Sequence, residues 1–152
     1  IEHEAVSVDH LEQITETEIK LLASSNTIPV GLPGCSFYLG IPYAPGRELM
    51  ERGLPFALAS DFNPGSSPVY DMQKIWSLAC IKMKLSPQRA LDAITCNSAM
   101  AMDAGEEVGS IAVGQRANLV VLQKDVQNLS YVPYAFGENN IEKVMIFGEW
   151  LV

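Results

Sequence analysis

Histidine is almost missing from this sequence: His3 and His10 are the only two in 152 residues. A catalytic zinc or iron centre ordinarily takes about three protein ligands, commonly imidazoles, and two histidines fall short of one. Basic residues are scarce as well. Ten Lys and Arg stand against 18 Asp and Glu, a net charge of −8. The ten are scattered and form no stripe, which argues against nucleic acid and anionic membrane surfaces as partners. Cys35, Cys80 and Cys96 are too few and too widely spaced for a disulfide framework or a CxxC metal site. They read as buried thiols in a reducing, cytoplasmic compartment. No apolar run approaches the roughly 20 residues of a membrane span, and no signal peptide is expected at the start.

What remains is ordinary for a globular protein, 48% hydrophobic and 18% charged. The length suits about one domain of roughly 100–200 residues. The first residue is Ile1 rather than methionine, and Ala5, Val6 and Val8 lead at once to Asp9 and His10. That abrupt entry suggests a piece of a longer protein.

Ala5 to Leu11 reads as a short buried strand. "ITETEIKLLASS" then carries a helix start, with Thr15 as N-cap, Glu18 three residues on, and Ile14 and Ile19 as a hydrophobic staple. Ile19, Leu21 and Leu22 supply its expected apolar face. "TIPVGLPG" is β-branched and bounded by Pro and Gly, a second strand. "APGRELMERG" is a short helix stopped by Gly53, and "PFALAS" a third strand that runs into Asp61. Strand, helix, strand, helix, strand at this spacing implies βα units and parallel strands. Downstream, Met72, Ile75, Trp76, Ala79, Cys80 and Met83 recur at helical spacing and read as packed core. Ser86 and Pro87 open another helix. The period then changes, and "GSIAVGQRANLVVLQ" and "IEKVMIFGEWLV" suggest a small antiparallel all-β piece.

Two polar residues close apolar strands: His10 in "VSVDHLE" and Asp61 in "ALASDFNPGSSP". Both fall at the C-terminal ends of parallel strands, the edge where ligands collect in barrels and open α/β sheets. A carboxylate at the mouth of an apolar strand is expensive unless a cation meets it. Metal-assisted hydrolysis needs such a group, because one oxygen can ligate Zn or Fe while the other accepts a proton from water. His10 would then hydrogen-bond the developing charge or the attacking water. The turn after Asp61 offers backbone N–H groups around Gly65 and side chains from Asn63 and Ser66. His3 belongs to the opposite end of the first strand and is discounted. The further ligands are expected from sequence outside this chain. A structural reading stays open beside this one, with His10 and Asp61 as hydrogen-bonded groups of a non-catalytic α/β binding module.

"VSVDHLE", "ALASDFNPGSSP" and "GSIAVGQRANLVVL" together resemble the amidohydrolase superfamily, and within it the imidazolonepropionases of histidine breakdown. The last motif is shared widely, whereas the first two are more specific. The resemblance implies the C-terminal part of a (β/α)8 barrel over residues 1–107, with strands six to eight, and strands of a small β-sandwich over 108–152. It implies one divalent metal, Zn or Fe, with Asp61 as ligand and proton shuttle and His10 beside the attacking water. Asn63, Gly65 and Ser66 would contact the substrate, 4-imidazolone-5-propanoate, which is hydrolysed to N-formimino-L-glutamate. A cytoplasmic homodimer is implied for the full-length enzyme. Another amidohydrolase, acting on a cyclic amidine or aminated ring, is the alternative within the superfamily.

Overall fold

A computed structural model describes residues 4–151; the expectation for His3 lies outside them. Three parallel strands form the first sheet: β1 (Ser7–Asp9), β2 (Ile28–Gly31) and β3 (Ala57–Leu58), in the order β1-β2-β3. Asp9 pairs with Val30, and Val30 with Ala57, so the three strands are level at that point. Every residue of β2 is buried, as suits a central parallel strand covered on both faces. The flanking strands are shorter than their apolar runs suggested, and β1, expected to be buried over Ala5 to Leu11, is half-buried to exposed because it lies at the edge of this sheet.

The first crossover is α1 (Glu16–Ala23), and the capping box is present: Thr15 accepts from the Glu18 N–H while the Glu18 carboxylate accepts from the Thr15 N–H. Ile19 and Leu22 are buried, but Leu21 is 51% exposed, so it does not share the apolar face assigned to it. Its position, one residue before Leu22, turns it about 100° away on the helix. The second crossover holds two helices where one was expected, α2 (Pro33–Leu39) and α3 (Gly46–Glu51). Arg52, just past α3, donates to both carboxylate oxygens of Glu16 at 3.0 and 2.6 Å and holds that carboxyl below its usual range.

Helices α4 (Met72–Ile81), α5 (Pro87–Ile94) and α6 (Cys96–Ala101) follow β3. Ile75, Trp76, Ala79 and Met83 are buried in the main core with Phe56 and Leu58, as their spacing implied. The α6 helix does more than pack. Ala57 of β3 and Ala59 just beyond it face β2, so the carbonyls of Phe56 and Leu58 point the other way; they accept from Asn97 Nδ2 and Ser98 Oγ, each at 2.9 Å. Two outward groups of an edge strand are satisfied in this way.

The second sheet is antiparallel: β4 (Leu119–Leu122), β5 (Ile141–Ile146) and β6 (Glu149–Trp150). Phe147 and Gly148, both at positive φ, make the β5–β6 turn. Only the second half of "GSIAVGQRANLVVLQ" is strand, and a short helix α7 (Tyr131–Tyr134) precedes β5. Val132 of α7 enters the main core, and Gln73 of α4 receives a hydrogen bond from the Asn140 N–H and donates one to Asn139. These contacts tie the second sheet to the helices. Among the described residues it is a single three-stranded sheet.

Phe56 is fully buried directly before β3, and its ring lies against two glycines. A Cβ on Gly31 would sit 2.4 Å from Phe56 Cζ, and one on Gly46 would sit 2.4 Å from Cε1. Gly46→Ala therefore overpacks the core by about 1–3 kcal/mol, outweighing a helix-propensity gain of at most about 1 kcal/mol in the first turn of α3. Gly137, with open space around it, is the control, and Ala there should stay within about 0.5 kcal/mol of the parent. Urea unfolding followed by tryptophan fluorescence measures both; equal stabilities would refute the packing account.

Candidate active site

His10 follows β1 directly, and Asp61 lies three residues beyond the end of β3. Both strands are neighbours of β2 and parallel to it, so the two residues share the C-terminal edge of the sheet. Adjacent strands stand about 4.8 Å apart, which separates β1 from β3 by about 10 Å.

The backbone marks both positions. His10 has φ 70° and Asp61 has φ 50°, a left-handed region that costs a residue with a Cβ of the order of 1 kcal/mol or more. Glu4, ahead of β1, shares the conformation, as do Lys84 and Asp103 just past helix ends and Phe147 in a hairpin turn, where it is a common way to stop an element. His10 and Asp61 instead adopt it at strand ends on one edge. There it swings the side chain out of the pleat.

A closed loop supports Asp61. Asn63 Oδ1 accepts from the N–H groups of Gly65 and Ser66, at 2.9 and 2.8 Å, while its Nδ2 donates to the Asp61 carbonyl at 2.7 Å and to Ser66 Oγ at 3.0 Å. Asn63 and Ser67 form an antiparallel bridge, and the buried Ser67 hydroxyl donates to the Ser60 carbonyl at 2.6 Å. Gly34 of α2 lets this loop come close: a Cβ there would meet Ser67 Oγ at 2.8 Å. The donors expected to face a ligand from Asn63, Gly65 and Ser66 are thus engaged with one another. Exposed Phe62 and Tyr70 flank the loop in an edge-to-face contact at 5.5 Å.

The Asp61 carboxyl is half-buried, and among the described residues no hydrogen bond or ion pair engages its side chain. A free oxygen donor at the rim of a sheet suits one position on a hard or borderline cation. It supplies only one. Among the described residues no three His, Cys, Asp or Glu gather closely enough to hold a metal ion. Asp61 therefore fits a divalent metal as one ligand of several. Burial pushes the Cys80 thiol up to about 11, so that thiol stays protonated and poorly nucleophilic at neutral pH.

His10 carries a neighbour that the strand pattern did not single out. Glu12 Oε1 lies 3.7 Å from His10 Nδ1, on a side chain only 10% exposed. An acidic residue two positions beyond His10, between Leu11 and Ile14, was the available signal. A cavity of about 750 Å³ opens at the opposite edge of the sheet, among Ala5, Val6, Thr27 and Asp103, and includes neither His10 nor Asp61. The strand ends lie at the other, C-terminal edge, where ligands of parallel α/β sheets collect.

The amidohydrolase family model matches residues 6–151. The chain belongs to the amidohydrolase family. Among curated relatives, it is 49% identical to the imidazolonepropionase of Christiangramia forsetii over 149 residues, covering 98% of this chain and 36% of that protein. It is 48% identical to that of Flavobacterium johnsoniae over the same length and shares. This amidohydrolase chain thus spans about a third of the length of the relatives it matches. Among solved structures, it superposes on a zinc-bound adenosine deaminase from Xanthomonas campestris with a TM-score of 0.85 and 28% identity, covering 95% of this chain and 36% of that one. A zinc complex of atrazine chlorohydrolase from Arthrobacter aurescens gives a TM-score of 0.83 at 18% identity, covering 96% and 36%. These neighbours are barrel enzymes of the amidohydrolase superfamily, and the fold is that of the C-terminal part of such a barrel.

The loop geometry generates a test of its own. Asn63→Ala removes the acceptor for the Gly65 and Ser66 N–H groups and the donor to Asp61, a loss of about 1–3 kcal/mol of local stability. Amide exchange at Gly65 and Ser66 should accelerate by about 10-fold or more, a factor that about 1.4 kcal/mol produces, while exchange in α4 stays unchanged. Unaltered exchange at residues 65 and 66 would contradict the account of the loop.

Proposed function

We propose that this chain is the C-terminal part of an imidazolonepropionase, an enzyme that hydrolyses a ring C–N bond of 4-imidazolone-5-propanoate to give N-formimino-L-glutamate. The convergence of His10 and Asp61 on one strand edge, each at positive φ, is the observation that carries the reading. The substrate class rests on relatives of that name at 43–49% identity over nearly the whole chain. The ring deaminases and triazine hydrolases that share the fold stand at 16–28% identity, which favours them less. In this reading residues 1–107 are the last three strands of the barrel with their helices, and 108–152 are strands of a small β-sandwich. The full-length enzyme is a cytoplasmic homodimer acting on a small molecule.

A divalent metal, zinc or iron, would be held in part by Asp61, and when bound it supplies a water acidic enough to attack at neutral pH. The other ligands come from the longer protein. Asp61 balances the positive charge and takes the proton that the attacking water gives up. It returns that proton to the ring nitrogen as the C–N bond breaks, so the leaving group departs as a neutral amidine. His10 hydrogen-bonds at the reacting centre from the end of β1, one strand removed from β3. The loop of Asn63, Gly65 and Ser66 keeps Asp61 in its left-handed conformation and presents its outer surface to the substrate. Because the loop is already closed by its own hydrogen bonds, little ordering is needed on binding.

Asp61→Asn in the full-length protein keeps the size but loses the charge and the proton acceptor. It should abolish ring opening and weaken metal retention. His10→Ala should leave most of the metal in place and lower turnover by about 10²–10³-fold. Metal analysis and the ring-opening assay on both variants decide the matter; near-normal activity in Asp61→Asn would defeat the proposal.

A further inference from the structure

The orphaned atom at Glu12 points to a role for that residue. Glu12 Oε1 is buried and, among the described residues, has no hydrogen-bond partner. A buried carboxylate oxygen without a donor is costly, and native structures keep few of them without a reason. Among the described residues, the cationic partner within 4 Å of it is His10 Nδ1, at 3.7 Å, just beyond hydrogen-bond length. Mobility is unequal across the pair. The Glu12 side chain is 10% exposed and therefore held, whereas that of His10 is 56% exposed and has room to turn. The backbone between them is already tight, since the Glu12 N–H donates to the His10 carbonyl. Catalytic hydrogen bonds are often long in the empty state and close when the site fills.

We propose that Glu12 is the positioning residue of His10: its carboxylate accepts from Nδ1–H, which fixes the imidazole as the Nδ1–H tautomer and leaves Nε2 as an acceptor toward the strand edge. This inference rests on the hydrolytic reading of the site and refines it. An imidazole held by a carboxylate through one nitrogen presents the other in a defined protonation state and direction. His10 then receives a hydrogen bond from the attacking water or a substrate N–H instead of donating one. The tight turn closed by the Glu12 N–H on the His10 carbonyl serves the same end, since it keeps residue 12 beside residue 10.

The test uses the full-length enzyme. Glu12→Ala should lower kcat on 4-imidazolone-5-propanoate by on the order of 10- to 100-fold, the usual cost of losing a group that orients a functional histidine, with KM and metal content near the parent values. In a His10→Ala background the same substitution should cost almost nothing, because a positioning residue acts only through the residue it positions. A structural role would lower activity equally in both backgrounds. Independently of turnover, ¹⁵N-histidine NMR, with His10 assigned by His10→Asn, should show a protonated Nδ1 and a pyridine-type Nε2 in the parent. Glu12→Ala should reverse that tautomer, and Glu12→Gln, which keeps the volume, guards against misfolding as the cause. Equal losses in both backgrounds, or an Nε2–H tautomer in the parent, would overturn the inference. A parent with the Nδ1–H tautomer that leaves 4-imidazolone-5-propanoate intact would keep the pairing and refute the proposed substrate instead.

Discussion

The place of Asp61 at the sheet edge hangs on the seat of one aromatic ring. Phe56 is fully buried between the backbone of Gly31, at the end of β2, and that of Gly46, at the start of α3. β3 is only two residues long and has few ladder bonds to hold it. Its position is therefore set by packing just before it and by α6 on its outer side, where Asn97 and Ser98 bond the outward carbonyls. Two residues later the chain enters the loop that carries Asp61. A shift of Phe56 would move that loop directly, without passing through a long strand that could absorb it.

The same economy explains why a charged residue is tolerated at the end of an apolar run. Ser67 ties the loop back to Ser60, and Asn63 ties it to Asp61, so the backbone polar groups are satisfied internally. The carboxylate is left with none of that work. It is exposed enough to remain solvated and free enough to meet a cation. His10 reaches the same edge from β1 by the same device, a left-handed residue after the last ladder pair.

Local chemistry was the legible part of the sequence. The cap at Thr15, Pro87 opening α5 behind Ser86, the parallel βα order and the burial of Ile75, Trp76 and Met83 follow from side-chain hydrogen bonding and periodicity. The α2 helix was hidden because "PGCSFYL" carries a proline and a glycine and no helical period; it forms because tertiary packing buries Pro33 to Ser36. Leu21 was misassigned because α1 buries only the face of Ile19 and Leu22, and a step of about 100° carries Leu21 off that face. The strand ends of His10 and Asp61 were readable from apolar runs that stop at a polar residue. Their left-handed backbone and the burial of Glu12 were not, since residue order alone does not set them; the Asn63 closure is local, the turn that an Asn-Pro-Gly-Ser run favours.

The central claim is that this chain carries one metal ligand, Asp61, and one hydrogen-bonding group, His10, of a site completed by a longer protein. Zinc and iron content, measured on purified residues 1–152 beside the full-length enzyme together with ring opening, tests it most directly. The account predicts about one metal per full-length chain with turnover, and neither in the 152-residue chain. Stoichiometric metal and measurable ring opening in the short chain would contradict it.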